Sequence, residues 1–87
     1  MSDFSAFVKL VYSIQEADVL EDLLVGITTP HERLELSQRL EIVKRLIAGE
    51  PQHKIARELG VGVGTVTRGS KELAAGRFKA LRVKSEH

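Results

Sequence analysis

The 87-residue chain contains no cysteine. That absence excludes disulfides, thiolate chemistry and Cys-based zinc sites. The three histidines, His31, His53 and His87, fall at no paired ligand spacing, so no metal site is expected. Long apolar runs are also missing, which leaves no candidate membrane span. The N-terminus carries Asp3 instead of a basic n-region; no signal peptide is read, and a cytoplasmic location is expected. There is no convincing strand pattern, repeat or low-complexity segment. Nor is there an overall excess of one charge, the formal net charge being +1.

Catalytic constellations are lacking as well. No nucleophile stands beside a base in an elbow or Gly-rich context, and the acids are spread along expected helix faces. Thr29 and Ser70 read as structural or ligand-directed. The run Gly60-Val61-Gly62-Val63-Gly64-Thr65 lacks the P-loop lysine and a preceding strand, and its third glycine is out of dinucleotide register. Phe4, Phe7 and Tyr12 lie at helical spacing and read as core. No enzymatic activity and no cofactor are expected.

What is present is apolar surface: 43% of the residues are hydrophobic, generous for one small domain. Chains this short are often stabilised by disulfides, metal or oligomerisation. With the first two excluded, oligomerisation is expected. The charge is also polarised. Residues 1–50 hold five Lys/Arg against nine acids, whereas residues 51–87 hold eight against three. A basic half is either a solvated face or a surface for phosphates, whose neutralisation releases condensed counterions.

Apolar periodicity predicts helices throughout. Phe4, Phe7, Val8, Val11 and Ile14 mark one over residues 3–16, and Asp18 is placed to cap a second that Gly26 ends. Thr29-Pro30-His31-Glu32 predicts a capping box opening a long helix to about Ala48. Its stripe of Leu36, Leu40, Val43 and Ile47, widened by Leu34, Ile42 and Leu46, is broader than a small monomer covers, as suits a dimer core. Pro51 opens a further helix ending near Leu59, another runs from about Val63 to Ala74, and Phe78, Leu81 and Val83 suggest a last short one before a frayed tail, Lys84–His87. The fold class is all-α with about six helices. A single domain is expected, with residues 1–50 as dimerisation core, 51–75 as a paired-helix motif and 76–87 as a C-terminal helix and tail.

The paired-helix motif, Gln52–Gly69, carries the sharpest signal. Ile55, Leu59, Val61 and Val66 are apolar where two short helices bury a shared face, Ala56 is small at their crossing, and Gly60 suits a left-handed exit from the first. This is the pattern of a helix-turn-helix, and it lies in the basic half. The expected DNA contacts are Gln52, His53 and Lys54 at the start of its first helix, with Val63, Gly64, Thr65, Thr67, Arg68 and Lys71 on its second. The plainer alternative is turn chemistry alone, with glycine for a break and threonine for a cap.

Over nearly its whole length the chain resembles the tryptophan repressor family. The match is sharpest at Thr29-Pro30-His31-Glu32-Arg33, Gly49-Glu50 and Thr65-Val66-Thr67-Arg68-Gly69-Ser70. The resemblance implies a homodimer with intertwined N-terminal helices. It also implies two reading heads that enter successive major grooves of double-stranded operator DNA, about 34 Å apart in helix-turn-helix dimers, Trp repressors among them. It further implies L-tryptophan as a regulatory corepressor, not a cofactor, held between core and head. Arg39 and Arg68 match the arginines that sandwich the indole, Arg68 and Thr29 the carboxylate contacts, and Gly69 a position where a side chain would meet the indole. Carbonyls around Gly26–Thr28 of a partner chain match the ammonium contacts.

The chain departs from the family pattern at Gly26 and Thr28, which replace leucines, and at Glu72, which replaces a serine near the ammonium. Glu72 either accepts the ammonium or pairs with Arg68 at i, i+4. His53 and Ala56 stand where longer basic side chains are typical. Arg39 has its own plain alternative, an ion pair with Glu35. The rival functional readings are a regulator of the same fold that senses another small molecule or none, and a helical protein-interaction module without DNA binding.

Overall fold

The structure, a computed structural model, describes residues 3–85, with side chains described as far as Arg82. Of the expected frayed tail, Glu86 and His87 lie outside the described residues. The described chain is all-helical: α1 (Phe4–Ser13), α2 (Ala17–Ile27), α3 (Pro30–Ile47), α4 (Gln52–Leu59), α5 (Val63–Ala74) and α6 (Lys79–Ser85). The described residues divide into two compact units, the first ending at Arg33 and the second beginning at Leu34.

In the first unit, Asp3 caps α1, its Oδ1 accepting from the Ala6 amide at 2.9 Å. The expected helix over residues 3–16 is shorter, because Ile14 turns to extended backbone at φ −83°, ψ 120°. Asp18 does not cap α2: the extended residue before the helix is Glu16, which makes no side-chain cap bond, and Asp18 sits inside the first turn. There its charge favours the positive end of the helix dipole. Gly26 does not end α2 either. The helix runs on to Ile27, and Thr28 follows in extended conformation with its hydroxyl donating back to the Leu24 carbonyl. Arg33 Nη1 donates to the carbonyls of Val25 at 3.1 Å and Thr28 at 2.9 Å, closing the turn into α3.

The capping box at the start of α3 forms reciprocally. Thr29 N donates to Glu32 Oε1 at 2.8 Å, and Glu32 N donates to Thr29 Oγ1 at 3.1 Å. Two otherwise unpaired helix-start amides are thereby satisfied. Phe4 and Tyr12 differ from the core reading. They are 77% and 89% exposed, with Phe4 stacked on Phe7 at a ring separation of 6.0 Å.

The second unit has a compact apolar core. Ile42 of α3, Ile55 and Ala56 of α4 and Val66 of α5 are buried, and Leu46, Leu59 and Val61 pack around them. Gly60 leaves α4 at φ 69°, ψ 34°, the left-handed conformation that favours glycine, and the Val61 amide returns to the Ala56 carbonyl at 3.0 Å. The broad stripe of α3 splits in two: Ile42 and Val43 are buried, while Leu34, Leu36 and Leu40 are exposed. Phe78, expected within the last helix, precedes it at φ 65° and accepts from the Leu81 and Arg82 amides through its carbonyl.

Candidate DNA-reading face and ligand pocket

The α4–α5 pair presents the residues that the sequence singles out for DNA. Val63, Gly64, Thr65, Arg68 and Lys71 are exposed on α5, and His53 is exposed at the start of α4. Gln52, Lys54 and Thr67 are half-buried. Thr67 also ties the motif together, since its hydroxyl has Gln52 Oε1 at 2.8 Å and the Val63 carbonyl at 3.0 Å as acceptors. The start of α4 and the middle of α5 are thus joined across the motif, so their cationic and polar groups form one surface.

A charge cluster that sequence reading missed anchors this motif to α3. The Arg45 guanidinium donates to Glu50 Oε1 through Nε at 2.9 Å and Nη2 at 2.6 Å, and also to Glu58 Oε1. Lys54 Nζ adds a contact to Glu50 at 3.7 Å. The hydrogen bonds from Arg45 hold both carboxyls below their ordinary value of 4.5. Carboxyls with depressed folded-state values contribute stability that is present above their ordinary value and lost as pH falls through the folded value. Arg45→Met is therefore expected to lower the melting temperature at neutral pH. The difference from the unsubstituted chain should shrink once the pH falls below about 4.5. Melting curves across that range check it, and a pH-independent difference would contradict the assignment.

Beside the α4–α5 face assigned to DNA, α3, α5 and the segment after α5 line a cleft of about 400 Å³, with Leu36, Arg39, Leu40, Ile42, Val43, Thr65, Arg68, Gly69, Glu72 and Phe78 on its walls. That volume suits a small ligand. Four of the five residues assigned to ligand binding come together here: Arg39, Arg68, Gly69 and Glu72. The fifth, Thr29, belongs to the first unit, where it caps α3. The apolar walls were not foreseen as a site, although Leu36, Leu40 and Val43 share one helical face with Arg39. Phe78 gave no local signal, because its place in the wall depends on the turn after α5.

Local contacts set how available the charged groups are. Arg39 Nη2 pairs with Glu35 at 3.5 Å, the plain alternative, yet it still lines the cleft. Exposed pairs of this kind are weak and readily exchanged. Among the described residues Arg68 forms no ion pair, and Glu72 turns instead to Arg77 Nε at 3.8 Å. Gly69 faces α3, where a Cβ would make ordinary van der Waals contact with Ile42 Cγ2 at 3.4 Å and Leu46 Cδ1 at 3.6 Å. No helix among the described residues is long and apolar enough to cross a membrane.

Comparison with known proteins places the sequence in one family. The sequence profile of the family described as "Trp repressor protein" matches residues 2–81. A "Trp operon repressor homolog" from Vibrio parahaemolyticus is 42% identical over 72 residues, covering 82% of this chain and 70% of the relative. One from Aliivibrio salmonicida is 41% identical over 73 residues, covering 83% and 68%. One from Vibrio cholerae is 41% identical over 73 residues, covering 83% and 71%. With the profile spanning both the motif and the cleft, the chain belongs to the Trp repressor family.

Proposed function

We propose that this protein is a homodimeric, DNA-binding transcriptional repressor that takes L-tryptophan as corepressor. Membership of a repressor family supports the regulatory role. The observation that carries the ligand-controlled reading is the shared use of α5. Thr65 and Arg68 are exposed on the face assigned to DNA, and both also line the cleft. A ligand filling the cleft touches α3 and the reading helix together, so it favours one arrangement of the head. The corepressor reading requires that this arrangement be the one that fits duplex DNA, so that ligand and DNA tighten each other's binding by population shift.

The indole would lie between the guanidinium planes of Arg39 and Arg68, with Gly69 at the wall and Arg68 toward the carboxylate. Gln52, His53, Lys54, Val63, Gly64, Thr65, Thr67, Arg68 and Lys71 form the expected DNA contacts. Exposed large apolar side chains in both units, such as Phe4, Tyr12 and Ile27 in the first and Leu34 and Leu36 in the second, support a second copy as the covering partner.

Selection of duplexes from a random-sequence pool, with and without L-tryptophan, tests the proposal. Enrichment of a palindrome only with tryptophan, with half-sites about one helical turn apart, is the expected result. The same palindrome enriched without tryptophan would point to a regulator that senses another molecule or none. No enrichment even at low salt, where phosphate-driven binding is strongest, would leave a protein-interaction module.

A further inference from the structure

The apolar core seats α4 against α3 and α5, but apolar contact has no direction and holds the roll of a short helix only loosely. Two polar contacts on different sides of α4 fix that roll. Toward α5, Gln52 Oε1 accepts from the Thr67 hydroxyl at 2.8 Å. Toward α3, the Arg45 guanidinium grips both ends of the helix. It donates to Glu50, two residues before α4, at 2.9 and 2.6 Å, and to Glu58 in the last turn. The Glu50 amide donates back to the Arg45 carbonyl at 3.1 Å, so side chain and backbone close the same junction. A guanidinium presents its donors in a rigid plane, which makes this clasp directional. With its side chain only 16% exposed, Arg45 is screened less by salt than a surface cation.

The roll decides where the expected DNA contacts at the start of α4 stand. On a helix about 10–12 Å across, a roll of about 10° carries a side-chain head about 1 Å. That exceeds the spread of distances a hydrogen bond accepts, about 0.5 Å. Lys54 is held within the same cluster, its Nζ 3.7 Å from Glu50. An ammonium has three protons, so it can face Glu50 and a phosphate at once. We propose that Arg45, through Glu50 and Glu58, is the positioning residue that sets His53 and Lys54 for the phosphates of duplex DNA. The inference rests on the DNA-binding reading above and adds residues that reading does not use. Among the described residues, none of Arg45, Glu50, Lys54 and Glu58 lines the cleft, so the clasp acts on the duplex and not on the ligand.

Glu58→Gln separates this role from simple charge. Removing a carboxylate makes the protein more positive, and electrostatics alone then predicts tighter duplex binding. Loss of the clasp predicts the reverse. With the selected palindrome and saturating L-tryptophan, Glu58→Gln is expected to weaken duplex binding by about fivefold to thirtyfold. Arg45→Met should weaken it at least as much. Adding Glu58→Gln to Arg45→Met should cost nothing further, because the pair acts as one contact. Calorimetry should give Glu58→Gln an unchanged affinity for L-tryptophan, and circular dichroism checks that each variant is folded. Duplex binding by Glu58→Gln that is unchanged or tighter would overturn this inference and leave the DNA-binding reading intact. So would a parallel loss of tryptophan affinity, the mark of a general loosening. An unsubstituted protein that binds no duplex even at low salt would overturn both.

Discussion

Arg68→Ala is expected to weaken binding of L-tryptophan and of duplex DNA together, each by about a hundredfold. The arginine is exposed on the α5 face assigned to DNA and lines the cleft, so one substitution removes a contact from each. On the ligand side the loss comprises aromatic stacking, roughly 0.5–2 kcal/mol, and a charge-assisted hydrogen bond, roughly 1.5–3 kcal/mol. At about 1.4 kcal/mol per factor of ten, the sum corresponds to between thirtyfold and several thousandfold. On the DNA side, a lost phosphate contact should also flatten the dependence of affinity on salt. Arg68→Lys separates the two roles, because an ammonium still meets phosphate but cannot stack or bind a carboxylate bidentately. It should recover DNA affinity better than tryptophan affinity. Parallel calorimetry and duplex titrations check this, and an unchanged affinity for both partners in Arg68→Ala would remove the residue from the site.

The second large effect concerns the core under the α4–α5 motif. Ile55 and Val66 are fully buried against Ile42, so α4, α5 and α3 share one apolar contact. Ile55→Ala is expected to cost about 2–5 kcal/mol, from lost transfer energy and the cavity left behind. Stabilities of small proteins are only about 5–15 kcal/mol, and a short chain lies toward the low end. The variant should therefore lose most of its cooperative unfolding transition and its DNA affinity, even though Ile55 faces no ligand. Val63→Ala is the control, because Val63 is 55% exposed and should change stability by less than about 0.5 kcal/mol. Chemical denaturation distinguishes them; equal midpoints for the two variants would contradict the proposed core.

Features governed by neighbours in sequence were legible in advance. The Thr29–Glu32 box, the left-handed exit at Gly60 and the apolar set Ile55, Leu59, Val61 and Val66 depend on local dihedral and spacing rules, and they occur as expected. Helix ends were read less well where those rules compete. A helix tolerates a glycine at a cost of only about 1 kcal/mol, and α2 runs past Gly26 to Ile27. Periodicity gave Phe78 to a helix because it cannot foresee a positive φ in a bulky residue. The Arg45–Glu50–Glu58 cluster joins residues 13 apart in sequence, and no local pattern announces it. The stripe on α3 reads as broader than one chain covers, and Leu34, Leu36 and Leu40 are exposed. Its division into a buried edge at Ile42 and Val43 and an open edge at Leu36 and Leu40 emerged only once α5 was in place.

The coupling between the cleft and the reading face is tested most directly by measuring L-tryptophan affinity with and without a saturating amount of the selected duplex. Because the chain contains no tryptophan, indole fluorescence reports the ligand alone. Tryptophan should bind more tightly when the duplex is present, by roughly 5- to 150-fold, and tryptophan should tighten duplex binding by the same factor. Identical tryptophan affinities in the two conditions would show that the cleft and the DNA-facing side of α5 act independently, contrary to everything inferred from their shared residues.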